Sequence, residues 1–428
     1  MYREMVRQWS SSLFDRFWRR GLMRSGMVTG LILAALVTGL GLAYRERGRG
    51  NLHKLKAKIQ TERTDAVVPR PGGQEAITLM RAGLEGGSSP EFLSTTMLPG
   101  RGMNTLQITA YVPGRGEVKL LASPSTEDAD ITMSGKGEDA AGRASLEMGG
   151  AVEAPWAGGI WGAPAQNLGH VTATWRSHAI TLPAAGGAVA RGGLLLEEPA
   201  DAAATTAMPD GGEVHADFRA GTFDGHWPSK TDVTVTVLLS SRAIELTVSA
   251  RNTGDVAEPI GIGWGPRFAV LDGNRQQIRL RIPGEMREEL GDHAKGQPTG
   301  VLLPVAGTTY DFTMIGGAGM GSIALNDCFV DLHQELLASG PVAELTDPAN
   351  DLGLRLTALS PTIKAMRVVA PADGNFVSIQ PQFNYDDPLG REWGHDVDTG
   401  MVVLEPGQTT QWKVRLEIYS LSEAKAAM

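Results

Sequence analysis

Apolar and polar positions follow two different rhythms along this chain. Residues 25–44, from Ser25 to Tyr44, carry no charged side chain and include Met27-Val-Thr-Gly-Leu-Ile-Leu-Ala-Ala-Leu-Val37. A helix over that run would cover about 30 Å, the thickness of a bilayer core. Gly26, Gly30, Gly39, Gly41, Thr29 and Thr38 dilute it, a composition that membrane helices tolerate. The pattern predicts one transmembrane helix at 25–44. Farther on the period falls to two. In Asp232-Val-Thr-Val-Thr-Val-Leu238, Val233, Val235 and Val237 point one way while Asp232, Thr234 and Thr236 point the other. Gln277-Ile-Arg-Leu-Arg-Ile282 and Trp412-Lys-Val-Arg-Leu-Glu-Ile-Tyr419 repeat the alternation, so their charged members are expected to face solvent. Ala243-Ile-Glu-Leu-Thr-Val-Ser249 forms a hairpin with the valine strand through Leu239-Ser-Ser-Arg242. Such hairpins predict an all-β protein: a large antiparallel β-sandwich, two sheets face to face, following the N-terminal transmembrane helix.

Composition agrees with a turn-rich β protein: 54 glycines, 24 prolines and 20% charged residues among 428. Charge is uneven. Residues 1–58 hold 12 Arg+Lys against 3 Asp+Glu, or +9, so the formal net of −9 leaves −18 on residues 59–428. An acidic body argues against a nucleic-acid partner. Six arginines precede the apolar run, and three arginines and three lysines follow it within residues 45–58, so the positive-inside count is tied. Arg19-Arg20-Gly-Leu-Met23 is loosely similar to a twin-arginine export signal, and no small-x-small cleavage site follows Ala43. The expected organisation is a basic cytoplasmic tail at 1–24, the membrane helix at 25–44, a linker at 45–74, the main domain at 75–422 and a short tail at 423–428. That makes a single-pass protein of a bacterial inner membrane, with a lipid bilayer as partner and the large domain in the periplasm.

Some patterns carry little chemistry. Gly316-Gly-Ala-Gly-Met-Gly321 lacks a lysine and does not open a helix, so it reads as a loop. The acidic stretches at 127–130 and 135–139 lack calcium-loop spacing and read as solvated turns. The eight histidines are scattered, which disfavours a metal site, and Cys328 reads as a buried small hydrophobe.

Several phrases resemble segments of galactose mutarotase-like proteins, the aldose 1-epimerase family. They are Met97-Leu-Pro-Gly-Arg-Gly-Met-Asn104, Gly149-Gly-Ala-Val-Glu-Ala-Pro155, Gly225-His-Trp227, Ala250-Arg-Asn-Thr-Gly254 running into Pro259-Ile-Gly-Ile-Gly-Trp-Gly-Pro266, Phe376-Val-Ser-Ile-Gln-Pro-Gln-Phe-Asn384 and Asp398-Thr-Gly-Met-Val-Val-Leu-Glu-Pro-Gly407. They occur in family order over residues 75–422. The resemblance implies the mutarotase supersandwich and chemistry on a sugar hemiacetal, with no cofactor. Opening that ring needs a base for the anomeric hydroxyl and an acid for the ring oxygen; family members use a glutamate and a histidine.

At the positions the resemblance assigns to that machinery, this chain has other residues. Gln380 stands at the base, Gly265 at the acid and Gly192 at the second histidine, while Gly158 and Gly159 stand at the Asn–Arg pair. The binding aspartate aligns with Asn326, or with Asp327 if the register slips by one. The main reading is therefore a membrane-anchored carbohydrate-binding protein with little or no catalysis. Its alternative is an aldose 1-epimerase interconverting sugar anomers with relocated acid and base. Trp264, Gln380, Gln382, Trp156, Arg267, His226 and Asn326 are the candidate sugar contacts, the tryptophans by stacking on a pyranose face. Glu153, Asp386, Asp387, Glu392 and His395 are expected at the cleft rim, as solvated groups first and as replacement acids in the alternative, and Arg191 or Arg267 could hold an anion there.

Overall fold

The computed structural model describes residues 68–81, 87–184, 187–293 and 295–426. Two large sheets make up the sandwich. The eleven-stranded one runs, in spatial order, Ile77–Met80, Glu91–Leu98, Asn104–Val112, Gly150–Glu153, Gly263–Ala269, Phe376–Gln382, Ala365–Ala370, Leu325–Leu332, Gly284–Asp292 and Gln297–Pro304, with Gly116–Lys119 added against Asn104–Val112. The nine-stranded one runs Ala202–Met208, Gly211–Gly221, Thr231–Leu239, Ala243–Asn252, Thr409–Ser420, Leu352–Ala358, Val342–Asp347, Arg279–Arg281 and Ala318–Gly319. Their paired neighbours are antiparallel, and both sheets lie within the compact unit Pro69–Met428.

One apolar core joins the two sheets. Phe92, Trp264, Phe268, Val377 and Ile379 from the larger sheet pack with Phe218, Val235, Leu246, Trp412 and Leu416 from the smaller one. Period-two patterning produces this directly: along Thr231–Leu239 every second residue is buried, with Val233, Val235, Val237 and Leu239 inside. The hairpin to Ala243–Asn252 sets Val235 opposite Val248 and Val237 opposite Leu246. The alternation at 277–282 has a different outcome from the one expected. Ile278, Leu280 and Ile282 are buried, but so is Arg281, which ion-pairs with Glu335 and Glu344 instead of facing solvent.

The acidic stretches also differ from the expected solvated turns. Thr126–Thr132 is a helix, capped by Ser125, whose hydroxyl accepts from the Asp128 N–H at 3.1 Å. Asp139, in the 3-10 turn Gly137–Gly142, is buried and ion-paired to Arg101 at 2.8 Å.

The sandwich matches the expectation; the membrane helix is a correction. Among the described residues no helix is long and apolar enough to cross a membrane. The expected span at 25–44 lies outside the described residues and finds no support, so the bilayer as partner, the inner-membrane location and the anchored reading are set aside.

Candidate functional site

Five adjacent strands of the larger sheet turn alternate residues away from the core. On Gly263–Ala269, Trp264 and Phe268 enter the core, so Gly263, Gly265 and Arg267 face the other way. The register sets Gly263 opposite Gln382 and Arg267 opposite Ser378, which puts Gly265 beside Gln380. On the next strand Arg367 lies opposite Gln380 and Val369 opposite Ser378; Asn326 follows opposite Val369. On the other flank Glu153 pairs with Gly263. This outer face floors a cavity of about 690 Å³ lined by Glu153, Arg191, Gly192, Gly265, Arg267, His293, Asn326, Arg367, Ser378 and Gln380, among others. That volume is within the range of about 300–1,000 Å³ typical of small-molecule sites.

Glu153 is the cavity's only carboxylate among the described residues, and it is buried rather than solvated. Its Oε2 accepts from the Gly158 N–H at 2.7 Å and from Gln380 Nε2 at 3.0 Å. Burial pushes its carboxyl up to about 7, against the opposing pull of the Gly158 N–H, the Arg367 charge and the Gln380 amide. His293 enters from beyond the end of Gly284–Asp292. Its Nε2 lies 3.1 Å from Asp327 Oδ2, and its carbonyl accepts from Asn326 Nδ2 at 2.9 Å. Arg191 Nη2 donates to the Lys295 carbonyl at 2.7 Å, tying the same turn from the other side.

The glycines at the family positions are held there by space. A Cβ on Gly265 would stand 2.9 Å from Gln380 Oε1 and 3.7 Å from Glu153 Oε1. On Gly192, at φ +74°, it would meet Leu146 at 2.5 Å and Leu196 at 2.8 Å. On Gly158, at φ +72°, it would meet Asp386 Oδ1 at 2.0 Å. Histidine or asparagine at these places would displace the groups now packed against them.

Of the expected sugar contacts, Gln380, Arg267 and Asn326 come together with Gly192 and Gly265 around the cavity. Gln382 lies behind them, fully buried, accepting from Gln380 Nε2 at 2.9 Å and donating to the Asn384 carbonyl at 2.7 Å. Trp264 is core, and Trp156 is buried against Trp227 with ring centroids 5.4 Å apart. His226 stacks on His170, and its Nδ1 lies 2.7 Å from the Thr181 carbonyl. None of these three lines the cavity. Asp386 and Asp387 are likewise buried rather than solvated. Burial and the neighbouring Glu392 push Asp387 up to about 9. Three residues that the sequence reading missed or undervalued line the cavity: Glu153, His293 and Arg367. Glu153 and Arg367 had a signal, as lone charges in the otherwise apolar strands Gly150–Glu153 and Ala365–Ala370. His293 had none, because a turn residue carries no periodicity.

Beneath the floor, Glu288, Cys328 and Asp386 bring ligand-type atoms within 4.8 Å of one another. Arg367 Nε lies 3.1 Å from Asp386 Oδ2, so a cation already supplies the counter-charge there. Burial and the Asp386 charge hold Glu288 well above the usual carboxylate range. The cluster reads as a buried polar network supporting Arg367.

A family profile described as Aldose 1-epimerase matches residues 205–417. Comparison with curated protein sequences gives no match. A galactose mutarotase-like protein from Clostridium acetobutylicum has a similar structure, with TM-score 0.62, 16% identity, 78% of this chain covered and 95% of that one. A homologue of GalM/aldose epimerase from C. elegans gives 0.59 and 14%, covering 80% and 99%. A putative aldose 1-epimerase from Escherichia coli K12 gives 0.57 and 14%, covering 81% and 100%. The match is distant and consistent, and what it establishes is the mutarotase-like fold.

Proposed function

We propose that the protein is an aldose 1-epimerase whose base and acid have moved, with Glu153 as the base and His293 as the acid. One observation carries the reading: a carboxyl held near 7 and an imidazole backed by a carboxylate line the same cavity. A group titrating near working pH is suited to both taking and returning a proton. Glu153 as carboxylate takes the proton of the anomeric hydroxyl, and the C1–O5 bond breaks with its electron pair going to O5. His293 as imidazolium gives O5 a proton, leaving the open-chain aldehyde. Rotation about C1–C2 and the reverse transfers close the other anomer. With Nε2 held by Asp327, Nδ1 is the nitrogen left to exchange that proton. Gln380 keeps Glu153 in place through its amide, and Asn326 holds the His293 carbonyl. The expectation of little or no catalysis gives way to this reading, which is supported by the likeness to a galactose mutarotase-like protein and a putative aldose 1-epimerase and by a carboxyl and an imidazole lining one cavity.

Exchange NMR on glucose, galactose, glucose 6-phosphate and glucuronate tests it. Acceleration above the spontaneous rate is expected for at least one sugar. Glu153→Gln and His293→Gln should each lower it by about 10²–10⁴-fold, the usual cost of losing a general acid or base. No acceleration of any of them, or a fully active Glu153→Gln variant, would refute the assignment.

A further inference from the structure

The cavity has more positive charge than a neutral sugar requires. Arg191, Arg267 and Arg367 line it, against the single carboxylate of Glu153 among the described residues. Arg367 has Asp386 as ion-pair partner and His293 has Asp327. Among the described residues Arg191 and Arg267 have no carboxylate at ion-pair distance. Arg191 lies over the Trp161 ring at 5.4 Å and gives one N–H to the Lys295 carbonyl. Arg267 lies over the Phe376 ring at 3.7 Å, gives one N–H to the Leu146 carbonyl, and leaves its buried Nε without a hydrogen-bond partner. Burial, and then the like charge of Arg367, hold Arg191 below its ordinary value against the opposing pull of Asp386 and Glu153. Two guanidinium groups, each positioned by an aromatic ring and a carbonyl and neither ion-paired among the described residues, carry a desolvation cost that an anionic ligand would offset.

We infer that the sugar this cavity takes is anionic, carrying a phosphate or a carboxylate that Arg191 and Arg267 receive while its anomeric end lies toward Glu153. The inference rests on the epimerase reading for its sugar and goes beyond it in the class of substrate. Arginine forks match both kinds of oxyanion, so the source of the charge is left to the probes.

Calorimetric titration with glucose, glucose 6-phosphate and glucuronate, run beside anomer-exchange NMR, makes the test. At least one anionic sugar should bind about tenfold or more tighter than glucose, the worth of one charge-assisted hydrogen bond pair. That preference should weaken with added salt and disappear in Arg191→Gln/Arg267→Gln, with Arg191→Lys retaining part of it. Melting curves establish that the variants fold; if the double variant does not, the singles decide. A preference for the phosphate over the uronate, or the reverse, identifies the source. Glucose bound as tightly as both anions overturns the inference, as does an unchanged preference in the variants, or no binding at all. The two readings fail separately: anion binding without anomer exchange removes the epimerase assignment and keeps this one, whereas exchange of glucose alone does the opposite.

Discussion

Glu153 has the clearest single-residue consequence. Its folded-state value of about 7 stands above the ordinary 4.5, so between those values the folded chain holds a proton that the unfolded chain has released. The contribution is full below pH 4.5 and is lost as pH rises through 7. Glu153→Gln keeps an acceptor for Gly158 and Gln380 and removes the charge. It should therefore be more stable than the parent at pH 8, by up to about 3 kcal/mol, and equal to it near pH 4. Thermal melts across that range check this; a variant less stable at pH 8 would mean that the arginines overcompensate burial. Gly158 makes the opposite kind of prediction. At φ +72°, with Asp386 Oδ1 only 2.0 Å from any Cβ, Gly158→Ala should cost about 2 kcal/mol or more by urea denaturation.

On the scale of one strand, Gly263–Ala269 divides its labour by parity. Trp264 and Phe268 build the core while Gly265 and Arg267 face the cavity. Trp264→Ala should cost about 3–5 kcal/mol in unfolding free energy and leave sugar affinity of the folded protein unchanged. Arg267→Gln should do the reverse. That parity was legible in the chain. Once Gly265 is assigned to the groove, period two sends Trp264 to the other face, so the two could not both serve the sugar. The valine hairpin and the sandwich were legible for the same reason, because alternation is a local property. What stayed hidden depends on contacts distant in sequence. Glu153 reads as a rim acid until Gln380, 227 positions away, is seen to hold it. Arg281 alternates like a solvent-facing residue, yet Glu344 pulls it inward.

For the molecule as a whole, one core shared by both sheets means that neither has an independent interior. The helical excursion from Thr126 to Glu147 is tied to this body by Arg101, whose partner Asp139 also accepts the Gly135 and Ala144 N–H groups. Arg101→Met strands a buried carboxylate and should cost about 3–5 kcal/mol. Circular dichroism and tryptophan fluorescence should shift together in that variant; separate midpoints would show the excursion coming apart alone. The cavity itself joins two very different materials. Its base is a hydrogen-bonded lattice of strands that cannot shift one residue without turning every side chain over. Its brow, the turn bearing His293 and Lys295, is closed on itself by Asp292 and, among the described residues, tied to neighbouring elements through Asn326, Asp327 and Arg191. Diversification in such a protein is channelled: new tastes in ligand can be acquired by rewriting that short brow, while the lattice underneath stays as inherited.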